Sequence, residues 1–207
     1  PPLGEELERL APVSLDELVS EAELLTRVDR KYLVPIRTAR ELLGGLDDAT
    51  RVLEIDGSRA FAYDSVYFDT PDRLSYRLTA QRRRRRFKLR TRRYLDTGGA
   101  FLEVKTRGAR SATVKERIGY EIEDRERLTA AGHEYAEESL QPLGLTGEVV
   151  DELAPTLVST YQRTTFAPLG GGMRATIDTR LAWEIADGDR LEAPDLAIVE
   201  TKSGSHA

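Results

Sequence analysis

Apolar residues recur along this chain with two different periods, and the change falls near residue 27. Before it, Leu15, Leu18 and Val19, then Ala22 and Leu25, lie three or four positions apart, the spacing of one helix face. Ser14-Leu15-Asp16-Glu17 has the form of a capping box, so residues 1–26 read as an N-terminal helix. Thr38 to Glu41 repeats that signal, and Gly44-Gly45 closes a second helix. From Arg27 onward the alternation becomes twofold and predicts eight strands, at 27–35, 62–69, 84–95, 100–106, 112–122, 156–167, 173–185 and 196–202. Hairpin-type turns join several of them: Asp96-Thr97-Gly98-Gly99, Gly170-Gly171-Gly172 and Asp187-Gly188-Asp189. A helix near 125–141 and a looser segment before Pro155 interrupt the series. Strands with short turns and no alternating helices predict an α+β fold. Its centre is an antiparallel eight-strand β-barrel, closed or nearly closed, with flanking helices. No repeat or linker divides the chain, so 1–207 reads as one domain with a barrel core over 27–202.

Running into the third predicted strand, Arg82, Arg84, Arg86, Lys88, Arg90 and Arg92 occupy alternate positions and, with the whole run extended, would share one face. Phe87, Leu89 and Thr91 would then take the core side. Arg93, on that far side, is expected to be nearly silent when replaced. A half-buried strand has no reason of its own to align guanidinium groups, so the row implies a polyanion.

Charge distribution narrows the kind of polyanion. Residues 77–93 hold ten basic residues and no acidic one, whereas the remaining 21 basic residues face 36 acidic ones, a balance of −15. Nucleic-acid-binding domains are basic over their binding surface. Here the positive charge sits in one region of an acidic chain, which suits a walled cleft focused on a compact anion. Few aromatics are available for base stacking, so nucleic acid ranks last among the ligands considered.

Other classes drop out on composition. There is no cysteine and there are two histidines, His133 and His206, which excludes thiolate chemistry and a histidine-rich zinc site. A metal would be held by carboxylates, which favours Mg²⁺ or Mn²⁺. No apolar stretch approaches a membrane span, and the first residues lack a signal peptide's regions, so a cytoplasmic location is expected.

Charge parity recurs beyond that run. Arg27, Asp29 and Lys31 share a face, as do Phe101, Glu103 and Lys105, and Thr113, Lys115 and Arg117. Tyr161 pairs with Arg163, Arg174 with Thr176 and Asp178, and Glu200 with Lys202, while Val28, Leu102, Val104, Val158 and Val199 hold the opposite faces. An eight-strand barrel is wide enough to hold side chains or one slim ligand. The expected interior is therefore a polar, mainly basic tunnel with a few carboxylates.

The motifs Arg30-Lys31-Tyr32-Leu33-Val34, Ser65-Val66-Tyr67-Phe68-Asp69-Thr70-Pro71, Arg90-Thr91-Arg92-Arg93-Tyr94, Phe101-Leu102-Glu103-Val104-Lys105, Thr113-Val114-Lys115, Tyr161-Gln162-Arg163-Thr164, Arg174-Ala175-Thr176-Ile177-Asp178 and Val199-Glu200-Thr201-Lys202 occur in this order from 30 to 202. Together they resemble the VTC domain, the polyphosphate polymerase domain of vacuolar transporter chaperone proteins and their bacterial relatives, within the triphosphate tunnel metalloenzyme (CYTH-like) superfamily. The resemblance implies a tunnel that binds ATP or a triphosphate end and, with Mn²⁺ or Mg²⁺, transfers the γ-phosphoryl group to a growing polyphosphate chain. It implies Lys31, Arg90, Arg92, Lys105, Lys115, Arg163 and Arg174 as catalytic phosphate ligands, with Lys88, Arg117, Lys202 and Arg86 as further phosphate contacts. Glu200 would be the principal metal ligand. Glu103 and Asp178 follow it, or serve as counter-charges orienting Lys105 and Arg174.

Arg27-x-Asp29-x-Lys31 stands where the superfamily's hydrolases carry Glu-x-Glu-x-Lys, which leans towards the polymerase branch. A triphosphate hydrolase on the same barrel and a non-catalytic polyphosphate-binding module remain alternatives, and a protein partner is left open. Arg82 to Arg86 could line a tunnel mouth or form an exposed basic loop. Relatives continue past the equivalent of Lys202 into a further helix and strand, so a longer natural protein is expected.

Overall fold

The computed structural model describes residues 3–20, 27–96, 98–107, 113–145, 147–168, 173–186 and 188–204. Helices are α1 (Gly4–Glu8), α2 (Leu15–Ser20), α3 (Ile36–Gly44), α4 (Leu74–Ala80), α5 (Ala130–Leu140) and α6 (Gly147–Asp151). Strands are β1 (Ala11–Val13), β2 (Arg27–Pro35), β3 (Arg51–Leu53), β4 (Phe61–Asp69), β5 (Phe87–Tyr94), β6 (Ala100–Arg107), β7 (Thr113–Gly119), β8 (Ala154–Ala167), β9 (Arg174–Ile185), β10 (Arg190–Ala193) and β11 (Leu196–Gly204). This is an α+β fold with one largely antiparallel sheet and flanking helices. The sheet has eleven strands rather than eight, and its hydrogen-bonded path does not close among the described residues. The three additional strands, β1, β3 and β10, are each only three or four residues long.

The residues group into two compact units: Pro1–Ala62 with Tyr161–Ala182 and Glu192–Ala207, and Tyr63–Thr160 with Trp183–Leu191. In the first, the strand order is β2-β11-β9-β8, with β3 on β8 and β1 on β3. The expected N-terminal helix is here two short helices. Pro12 lacks the N–H a helix needs, and the chain instead forms β1, parallel to Arg51–Leu53. The capping box itself is present: the Ser14 backbone N–H donates to Glu17 Oε2 at 3.0 Å and the Glu17 N–H to Ser14 Oγ at 3.3 Å. Ala22 and Leu25 lie outside the described residues, as do Thr97, Asp187 and the Gly170–Gly172 turn. The core joins Leu7, Leu10 and Leu43 from the helical segments to Val52, Phe166, Ile177 and Ala197 from the sheet.

In the second unit the order runs β8-β4-β5-β6-β7. Its core packs Val66, Phe68, Phe87, Leu89, Leu102 and Val104 from one sheet face against Ala136, Leu140 and Leu143 beside α5. Gly132 permits that approach, since a Cβ there would lie 2.5 Å from the Tyr120 hydroxyl. α4 has its cap at a distance: Asp69 Oδ1 accepts from the Ser75 N–H at 2.7 Å and Oδ2 from the Tyr76 N–H at 2.9 Å. The Asp69-Thr70-Pro71 motif thus anchors a helix start.

β5 begins only at Phe87, which corrects the expected strand 84–95. Arg82 has φ of 53°, a left-handed turn value, and Arg82, Arg84 and Arg86 do not share the strand face of Lys88, Arg90 and Arg92.

Candidate functional site

Two clusters of charge occupy the polar sheet faces, one in each unit. In the second unit, alternation sends Phe87 and Leu89 into the core and Lys88, Arg90 and Arg92 to the other side. Register then fixes their neighbours. Tyr67 lies opposite Arg90, Arg90 opposite Glu103 and Glu103 opposite Arg117. One step along the strands, Lys88 faces Lys105 and Lys105 faces Lys115, a row of three ammonium-bearing side chains.

Glu103, 2% exposed, is the centre of this cluster. Its Oε2 accepts from Arg90 Nε at 2.9 Å and Nη2 at 2.7 Å, and Lys115 Nζ lies 2.6 Å from Oε1. Burial would raise its pKa, but Arg90, Arg92 and Lys115 outweigh that and hold it down at about 2. Lys115 titrates below the usual lysine value because burial outweighs the help of Glu103. Arg92 is buried, donates to Ser65 Oγ at 3.2 Å and lies over the Tyr63 ring. The Arg117 guanidinium stacks 4.4 Å from the Phe101 ring centre. Tyr67 hydroxyl accepts from Arg90 Nη1 at 2.9 Å, and burial notwithstanding, Arg90, Arg92 and Lys88 lower its pKa.

The first unit's cluster is built the same way from β2, β11, β9 and β8. Lys31 lies opposite Glu200 and Glu200 opposite Thr176, while Lys202 lies between Asp29 and Arg174. Arg163 grips Asp178 with Nε at 2.6 Å and Nη2 at 2.7 Å, a bidentate pair. Glu200 is buried with looser company: Lys31 and Lys202 Nζ each at 3.4 Å and Arg163 Nη2 at 3.8 Å. Burial raises its pKa, and Lys202, Lys31 and Arg163 more than reverse this. Burial also lowers Lys202, against the pull of Glu200. Arg174 donates to the Leu18 carbonyl of α2 at 2.6 Å.

Every residue expected at the site lies in one of these clusters except Arg86, whose guanidinium turns back to the Arg83 carbonyl at 2.9 Å. Asp178 is the counter-charge of Arg163 rather than of Arg174, and Glu103 that of Arg90 and Lys115 rather than of Lys105. Sequence reasoning missed Tyr67 and Ser65. Their alternation with core Val66 and Phe68 was the available signal. Arg93 pairs with buried Asp64 at 2.9 Å, beside Arg125, so it is a structural residue. Among the described residues no three carboxylates or histidines converge as a protein metal cage. Glu200, with the longest ion pairs of the three candidates, is the carboxylate whose partners are most easily exchanged.

Anion binding should register as proton uptake. An anion stabilises the charged form of Lys115 and Lys202, whose pKa values lie below normal. Calorimetry of triphosphate binding in buffers of different ionisation enthalpy should show uptake that grows as pH rises towards those values. Uptake that is zero across the alkaline range would count against both lysines as ligands.

The VTC domain family model matches residues 26–207. No curated protein matches the chain significantly. Among solved structures, the Hippeastrum protein HpAC1, an adenylyl cyclase candidate described as having a dominant triphosphatase activity, is similar at 13% identity and TM-score 0.52, over 86% of this chain and 80% of that one. An adenylate cyclase candidate from Vibrio parahaemolyticus is similar at 17% identity and TM-score 0.44, over 87% and 77%. A conserved hypothetical protein from Pyrococcus furiosus is similar at 15% identity and TM-score 0.46, over 87% and 80%.

Proposed function

The chain belongs to the VTC domain family, and from that premise we propose that it is a polyphosphate-forming phosphotransferase. Its substrates are ATP or a triphosphate end and the growing chain. The observation that carries the reading is the Lys88–Lys105–Lys115 row beside Arg90 and Arg92. Like charges directly opposite each other destabilise a sheet, and a bound phosphate chain removes that repulsion. Phosphoryl transfer asks the protein mainly for positioning and neutralisation of oxygens that gather charge. Guanidinium forks from Arg90 and Arg92 orient phosphate oxygens, and the lysines of the same cluster supply mobile charge.

In the first unit's cluster, a divalent cation shared between Glu200 and phosphate oxygens held by Lys31, Lys202 and Arg163 would add neutralisation that those cations alone cannot, since such ions use one or two carboxylates plus substrate phosphates. Glu200→Gln should therefore raise the Mn²⁺ concentration for half-maximal activity by about tenfold or more. An unchanged Mn²⁺ requirement would move the ion to Asp178 or Glu103.

The second reading is triphosphate hydrolysis, supported by the triphosphatase activity described for the Hippeastrum protein. Incubation with ATP and Mn²⁺, resolved on a gel, separates the two. Long polyphosphate supports transfer, free phosphate alone supports hydrolysis, and neither product with retained polyphosphate binding supports a non-catalytic module.

A further inference from the structure

The turn between α4 and β5 is the most basic surface of the chain, and the clusters above do not use it. Gln81 to Arg86 carries five consecutive arginines, and Arg82 to Arg85 are exposed. Among the described residues none of these four forms an ion pair with a carboxylate.

Its backbone is ordered. Arg82 N–H donates to the Thr79 carbonyl at 3.0 Å and Arg83 N–H to Leu78 at 2.9 Å, the two bonds of a Schellman helix end. The left-handed position of that motif normally takes glycine, yet here Arg82 fills it at φ 53°. Arg86 ties the turn back through the Arg83 carbonyl at 2.9 Å. A fixed turn that spends a glycine position on an arginine presents charge rather than flexibility.

We infer that Arg82–Arg85 is an outlying docking surface for the distal part of a long polyphosphate chain, separate from the phosphate site of β5. This rests on the proposed function. The turn leads straight into β5, where Lys88, Arg90 and Arg92 follow at steps of about 6.6 Å. That row alone can engage a triphosphate, and only a longer polyanion continues onto the turn. Gln81–Arg86 contains neither an aromatic ring to stack a base nor an apolar residue to enter a bilayer. A polyanion bearing phosphates and nothing else is the occupant this chemistry fits.

The test is a variant with Arg82, Arg83, Arg84 and Arg85 all replaced by Gln, measured by calorimetry with triphosphate and with polyphosphate of several tens of units. A control replaces the exposed Arg37, Arg40, Arg127 and Arg190 by Gln to match the change in net charge. Triphosphate affinity should stay within about twofold, while long-chain affinity should fall about tenfold or more with a shallower salt dependence. The control should keep its long-chain affinity. Equal losses for both ligands, no loss for either, or the same loss in the control would overturn the proposal. So would a larger loss for duplex DNA or for phosphatidylserine vesicles than for polyphosphate. If the native chain binds long polyphosphate through this turn but not triphosphate, the function proposed above fails while the docking surface stands. If it binds neither, both fail.

Discussion

Replacing Glu103 with alanine should destabilise the protein by about 3 kcal/mol in phosphate-free buffer, the low end of the cost of breaking a buried ion pair. The loss comes from the cations left behind. Arg90, whose guanidinium reaches Glu103 at 2.7 and 2.9 Å, and Lys115 at 2.6 Å would share a half-buried face with Arg92 and no carboxylate. The low end applies because the Lys115 side chain is 45% exposed and can partly rehydrate. Triphosphate should restore much of the lost stability, since it returns negative charge to the same cations. Urea unfolding with and without triphosphate measures both effects. An unchanged midpoint in the variant would show that solvent already screens this cluster.

The same group sets an acid limit. Its pKa is about 2 in the folded protein against an ordinary 4.5, so the folded state releases its proton more readily than the unfolded chain. The resulting stability is complete above about pH 4.5 and is lost as pH falls towards 2. A shift of that size corresponds to about 3 kcal/mol, the same order as the substitution cost. Glu103→Gln should flatten the stability profile in this window, and a profile that stays as steep would assign the acid response to other carboxylates.

Parity was the legible part of the sequence. Alternation within β5, β6, β9 and β11 placed Arg90, Arg92, Glu103, Asp178 and Glu200 on the polar face, because a core on one side fixes which residues turn inward. Arg82 to Arg86 misled for a physical reason. Five identical residues carry no period, so nothing in them marks where the strand starts. The strands β1, β3 and β10 are too short to show one. α4 hid because its capping carboxylate, Asp69, stands five residues ahead of Leu74 rather than beside it.

Register was not legible. Which cation meets which carboxylate depends on pairing between strands distant in sequence, and one-strand parity is silent about it. Glu103 and Asp178 therefore read from sequence as metal ligands or as partners of Lys105 and Arg174, whereas the ladder sets Arg90 opposite Glu103, and side chains reaching off register bring Lys115 to Glu103 and Arg163 to Asp178.

Arg92→Ala should lower triphosphate affinity about tenfold to a hundredfold, the worth of one charge-assisted hydrogen bond or slightly more. Arg92 is buried against Ser65 Oγ and the Tyr63 ring, so its guanidinium is held in place before any ligand arrives and little conformational freedom is lost on binding. Arg90→Ala should reach the same range and also weaken folding, because it removes two of the bonds to Glu103 and the one to Tyr67. Arg93→Ala separates the faces of the strand. It should leave affinity within about twofold while costing about 1 kcal/mol of stability, since Asp64 loses one of two guanidinium partners and keeps Arg125 at 3.0 Å. Calorimetry and urea unfolding on the three variants give two independent columns of results. Should Arg93→Ala weaken triphosphate binding as much as Arg92→Ala, the assignment of phosphate to one face of β5 is wrong.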